Sequence, residues 1–183
     1  MTASDPAADV AWPPAPIRTA RLVLRASEAR DRAAFVELLA SPEVGTFVGG
    51  AQPRAELERT MPEVPGRRTG FFAVELDGAT IGMTTLDVRD PARPGHIRPE
   101  RGEHELGYMF LPRAWGRGYA TEACAAALAW FAATHPGEPV LLTAQTANTR
   151  SVRVAAKLGF TEAARFHEYG AEQWRGVWTP PRH

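Results

Sequence analysis

Lysine is almost missing from this chain of 183 residues: Lys157 stands alone among 21 basic residues, the rest being arginine. That bias reflects genome composition, not function. Cysteine is as scarce. Cys124 is the only one, so no intrachain disulfide can form, and its place on the apolar face of a predicted helix makes it core, not nucleophile. An excess of either charge is missing too, because 21 acidic residues balance the 21 basic ones. No general attraction to a polyanion follows, so nucleic acid is not an expected partner. No apolar run approaches the ~20 residues that cross a membrane. Residues 1–16 lack the basic start and apolar core of a signal peptide. A cytoplasmic chain with no membrane partner is expected.

What is present is an ordinary globular composition, 44% apolar and 23% charged. A chain of this length can bury roughly 70% of its unfolded surface without staples. Residues 1–16, with Pro13, Pro14 and Pro16, read as a disordered arm, and residues 17–183 as a single domain. Leu22 and Leu24 alternate as in a strand. Residues 29–40 predict a helix that Pro42 stops, and Pro53 starts a second, shorter one. Strands at 70–76 and 80–88 are joined by Asp77-Gly78, a hairpin turn. Residues 90–102, rich in Pro, Arg and Gly, form a loop. A strand at 103–111 leads into a helix reaching about Thr134, with Ala120, Ala123, Cys124, Ala127, Leu128 and Phe131 on one stripe. Residues 139–146 form a buried strand. Asn148 caps a last helix that ends at Leu158 before Gly159, and segments 164–169 and 173–179 close the chain as a hairpin. The order is that of an α+β fold, a sheet with helices on both faces.

The strand–turn–helix junction at residues 111–123 says most about function. Gly116 and Gly118 remove side chains where a ligand would touch backbone. The helix that follows offers unpaired N–H groups and the positive end of its dipole, which together suit phosphate. Arg113 and Arg117 stand where they could meet it. No Gly-Lys-Ser/Thr follows, so this is not a nucleotide P-loop. The third glycine and the ribose-binding acid of a dinucleotide site are missing as well.

A longer string carries a resemblance. Glu105-Leu106-Gly107-Tyr108, then Trp115-Gly116-Arg117-Gly118-Tyr119-Ala120-Thr121-Glu122-Ala123, then Asn148-Thr149-Arg150-Ser151-Val152, then Lys157-Leu158-Gly159-Phe160 occur in this order, after an opening Thr19-Ala20-Arg21-Leu22-Val23-Leu24-Arg25. Together they resemble the GNAT N-acetyltransferases, and within them the branch of ribosomal-protein N-terminal acetyltransferases. The resemblance implies the GNAT fold: a mixed, mostly antiparallel sheet, helices on both faces and a C-terminal hairpin. It implies acetyl-CoA as cosubstrate and no metal. Its pyrophosphate would lie on Trp115, Gly116, Arg117, Gly118, Tyr119, Ala120 and Thr121, with Trp115 where most members carry Gln or Arg. Pantetheine would lie in a gap beside a splayed strand, bonded to backbone near Phe110 and Leu111 and to Asn148. The same backbone could stabilise the oxyanion.

The chemistry asks for a base. An α-amine, with a reference pKa of about 7.7–8.0, needs less help than a lysine amine at about 10.4. Glu105 is the first candidate, working through a water. It reads equally as a strand-edge carboxylate paired with an arginine. Glu103 and His104 are its weaker neighbours. The leaving thiolate, near 8.5 as for cysteine, can depart without full protonation. The tyrosine that many members place in the last helix would fall at Ala155, so it is absent. Ser151 is the replacement candidate, against a plain helix-end hydrogen bond with Asn148. Tyr108, Tyr119, Trp130, Trp174 and Trp178 read as packing. The acceptor is a primary amine, a small molecule or a protein N-terminus, with Phe47, Phe71 and Trp174 as candidate slot walls. The oligomeric state stays open between monomer and homodimer. A catalytically silent acyl-CoA-binding sensor shares the glycine turn and is the second reading.

Overall fold

In the computed structural model, residues 10–98, 100 and 102–181 are described. Eight strands form one sheet: β1 (Ile17–Arg18), β2 (Leu22–Arg25), β3 (Phe71–Leu76), β4 (Ala79–Val88), β5 (His104–Phe110), β6 (Val140–Gln145), β7 (Thr161–Glu168) and β8 (Ala171–Trp178). Their order is β1-β2-β3-β4-β5-β6-β8-β7. Every neighbouring pair is antiparallel except β5 and β6. The β3–β4 turn forms as its residues dictate: Asp77 (φ 49) and Gly78 (φ 82) both take the left-handed region that a tight hairpin needs.

Helices cover both faces. On one side lie α4 (Tyr119–Thr134) and α5 (Thr149–Leu158). Their buried residues Ala123, Cys124, Ala127, Leu128, Phe131 and Ala155 join Leu22, Leu24, Phe72, Val74, Leu106 and Leu142 in the larger core. The small side chains of α4 let it approach the sheet closely. On the other side lie α1 (Arg32–Ala40), α2 (Pro42–Gly45) and α3 (Arg54–Thr60). Phe35 and Leu38 pack there on Phe71, Ala73 and Leu111.

Two elements escaped the sequence pattern, β1 and α2. The arm at 1–16 also differs in part. Residues 1–9 lie outside the described residues, but Trp12 packs edge-on against Phe72 at 5.1 Å and Trp130 at 5.7 Å. The packed chain therefore begins before residue 17. The loop between β4 and β5 is pinned to the sheet. Arg89 Nη2 donates to the Pro94 carbonyl at 2.6 Å, and the fully buried Arg175 donates to the Gly95 carbonyl.

Candidate active site

After β5, a short 3-10 turn (Pro112–Ala114) delivers the chain to Trp115-Gly116-Arg117-Gly118 and then to α4. Gly116 (φ 75) and Gly118 (φ 80) are left-handed, a conformation that costs other residues about 1–2 kcal/mol. A Cβ on Gly116 would meet nothing within 4 Å. The turn is open to a ligand, and the first N–H groups of α4 have no intrahelical acceptor. Arg21 braces this turn from below. Its Nη1 donates to the Arg117 carbonyl at 2.9 Å, its Nε to Glu122 Oε2 at 2.7 Å, and its guanidinium lies over the Tyr119 ring. Glu122 Oε1 also accepts from Thr19 Oγ1 at 2.6 Å and from the Arg21 N–H at 2.9 Å. Arg113 turns the other way, to Glu37 on α1 at 2.5 Å. Arg150 stands over the Trp115 ring, 5.2 Å from its centre, where its cation faces the turn.

Next to the turn the sheet opens. β5 and β6 pair only at His104–Val140 and Glu105–Leu141. Beyond these, β5 follows β4 and β6 follows β8, so the two strands diverge. The Leu111 N–H bonds the Ile81 carbonyl at 2.9 Å. Backbone groups alternate sides along an antiparallel strand. Those of Tyr108 and Phe110 therefore face the gap, open to an extended ligand. Two details correct the sequence expectation. Both backbone groups of Leu111 are engaged within the chain, since its carbonyl accepts the Ala114 N–H at 2.8 Å. The Phe110 carbonyl accepts Trp115 Nε1 at 2.8 Å, which leaves the Phe110 N–H for a ligand.

Two hydroxyl groups meet between β5 and the first turn of α5. Asn148 caps α5, its Oδ1 accepting the Ser151 N–H at 3.2 Å. Ser151 Oγ lies 2.6 Å from the Tyr108 hydroxyl, which reaches over from β5. Tyr108 packs against the core, as expected, and its hydroxyl in addition meets Ser151. Burial pushes its phenol up to about 12, against the pull of the Ser151 bond. Ala155, one turn further along α5, is fully buried.

On the opposite face of the sheet, Glu105 Oε2 accepts from Arg89 Nη1 at 2.6 Å. Glu105, Gly107 and Met109 alternate along this face of β5, so Glu105 lies about 7 Å along the strand from Gly107 at the strand's rise. Glu103 is committed elsewhere. Burial opposes its ionisation, but the N–H groups of Arg98 and Ile97 together with His96 hold its carboxyl below the usual range. His104 faces α4, against the rings of Phe131 and His135. Phe71 is core beside Phe35, and Trp174 is core on the α5 side, so neither lines the acceptor side. A cleft of about 350 Å³ does lie there, between the α1–α2 region with the loop after it and the middle of β4 and β5.

A glycine turn on a helix start thus stands beside a sheet that opens at its parallel pair. The family model of the acetyltransferase (GNAT) domain matches residues 21–161. The chain belongs to this family and has its fold. It is 30% identical over 153 residues to the uncharacterised protein YkkB of Bacillus subtilis (strain 168), covering 77% of this chain and 82% of that one. It also superposes on the ribosomal L7/L12 α-N-protein acetyltransferase RimL in complex with coenzyme A, with TM-score 0.70, 13% identity and 90% and 98% of the two chains covered. For aminoglycoside acetyltransferase AAC(6')-Ib with coenzyme A the TM-score is 0.67, at 18% identity over 86% and 94%. These two likenesses are of fold. The open turn and the ligand-facing N–H groups fit a CoA thioester.

Proposed function

We propose that the protein is an acetyl-CoA-dependent N-acetyltransferase acting on a primary amine, with a protein α-amine favoured by the motif likeness to the N-terminal acetyltransferase branch. The observation that carries this reading is the β5–β6 opening, with the glycine turn after β5 and the Tyr108–Ser151 hydroxyl pair between β5 and α5. Residues 115–121 would hold the pyrophosphate, and the Phe110 N–H and Asn148 the pantetheine. The thioester would supply the acyl group. On the acceptor face, Glu105 takes the ammonium proton through a water, since Gly107 leaves room between it and the opening. The free amine then attacks the acyl carbon, the C–S bond breaks as the C–N bond forms, and the surplus proton on nitrogen passes to the departing thiolate. Ser151 donates a hydrogen bond to the departing sulfur. Ala155, without a hydroxyl, favours the second reading, a sensor that binds acyl-CoA and releases none.

Acetyl-CoA at 100 times its dissociation constant should stabilise the fold by about 2.7 kcal/mol, read as a thermal shift. Glu105→Gln should lower turnover by roughly 10²–10⁴, with intact acetyl-CoA binding and a smaller loss at high pH. An unchanged rate across pH 6–9 would assign Glu105 to its Arg89 pair alone. Stabilisation without CoA release on any amine would favour the sensor.

A further inference from the structure

The acceptor-side cleft differs in chemistry from the rest of that face. Leu39, Val44 and Val48 form its outer wall, and Met83, Met109 and Thr85 its floor. It reaches Gly107 and Tyr108, where β5 begins to leave β6. Among the described residues, its lining contains no Asp or Glu. The carboxylates nearest along the same strands are already paired. Asp87 takes both arms of Arg68 at 2.7 and 2.8 Å, and Glu105 takes Arg89. Glu168, on the same face, takes Arg93. A Cβ on Gly107 would lie 2.7 Å from Thr85 Oγ1. The absent side chain is therefore what keeps the inner end of the cleft passable.

The wall is built, not incidental. The Gly50 N–H donates to the Gly45 carbonyl at 2.8 Å, and a Cβ on Gly45 would strike Gly50. This fold-back holds Val48 outward at 59% exposure, at the mouth. Gln145 Nε2 on β6 donates to the Phe47 carbonyl at 3.2 Å and ties the wall across the opening. A charged group entering such a place loses hydration and finds no counter-charge. One ammonium can shed its proton toward Glu105. A second or third cannot.

We infer that this site takes a single primary amine carried on an apolar body, either a small hydrophobic amine or the α-amine of a residue with an apolar side chain, and rejects polycationic amines. The inference rests on the acetyltransferase reading. Methionine floors adapt their shape, so bodies of differing outline are accepted while added charge is not.

The test is kcat/KM with acetyl-CoA on five acceptors: 2-phenylethylamine, a peptide starting with Leu, a peptide starting with Asp, spermidine and kanamycin. At least one of the first two should exceed the last three by roughly tenfold or more. Which of those two leads separates a small-amine from a peptide source. Val48→Asp, a change at an exposed position, should cut the favoured substrate and raise spermidine. Better turnover of spermidine, kanamycin or the Asp peptide would overturn the inference and leave acetyl transfer standing. An identical ranking in Val48→Asp would also overturn it. No thermal shift with acetyl-CoA and no CoA release on any acceptor would remove the acetyltransferase reading and the inference together.

Discussion

Tyr108 shows how one hydroxyl can orient another. Its phenol, held near 12 mainly by burial, keeps its proton at every working pH. It can therefore donate to Ser151 Oγ at 2.6 Å without ever competing as a base. Ser151 is then left with its own hydrogen to direct into the gap, and a hydroxyl donor there eases loss of a thiolate. Full transfer along the pair is unfavourable, because it would leave a buried tyrosinate to protonate a thiolate that needs less help. Tyr108 is on this argument a positioning residue. Ser151→Ala should lower kcat by roughly tenfold, below the roughly 10²–10⁴ of a general acid or base. Tyr108→Phe should lower kcat similarly with an unchanged KM for acetyl-CoA. In the Ser151→Ala background it should add nothing, and steady-state rates of the four proteins close the cycle. Independent, additive losses accompanied by a lower Tm would mean that the bond only ties α5 to β5.

At the scale of elements, α4 starts where it does because residues 19–21 hold it there. Burial resists the charge on Glu122, yet Thr19 and Arg21 keep its carboxyl below the usual range. Glu122→Ala removes three hydrogen bonds and should cost about 1–3 kcal/mol, read by urea unfolding. It should also weaken acetyl-CoA binding, since Arg21 would no longer steady the Arg117 carbonyl. Unaltered affinity would separate this brace from the turn. The opening Thr-Ala-Arg motif was legible in the sequence, but its target lies some 100 residues away and left no local signal. The limits of α5 were legible because Asn148 and Gly159 are local devices, an Oδ1 cap and a left-handed stop at φ 90. The two-residue β1 was not, since only its pairing with Val23 and Leu24 defines it. Pro42 read as the end of α1. It is also the first residue of α2, with Ser41 Oγ accepting the Val44 N–H at 3.3 Å. Tyr108 packs against the core as its sequence context predicts, but its hydroxyl's bond to Ser151, 43 positions on, left no local signal.

Over the whole molecule, the carboxylates that tie elements together share one sign. Arg25, more than any other group, holds Glu75 below the usual range, and Arg93 does so for Glu168. Asp31 and Glu103 are held low as well, with burial opposing and hydrogen bonds prevailing. A folded-state pKa below the unfolded one means that the unfolded chain binds protons first as pH falls. Each such group therefore contributes stability that is full above the unfolded value of about 3.9–4.3 and is lost on further acidification. His135 acts in the same direction from a higher starting point. Burial lowers its pKa, so unfolding takes up a proton once pH drops below about 6.5. Tm should decline gently from pH 7 to 5 and steeply below about 4, and a Tm that rose on acidification would contradict these pairings. The steep phase should not be uniform in space. Glu103 and Glu168 fasten the loop after β4, through Ile97 and Arg98 and through Arg93, beside the acceptor face. Their protonation loosens that loop while the body of α4 beyond Glu122, whose buried stripe is apolar, keeps its contacts. Amide exchange near pH 4 should therefore rise in residues 90–98 before it rises in α4, and simultaneous exchange would show that the carboxylates stabilise the fold only as a whole.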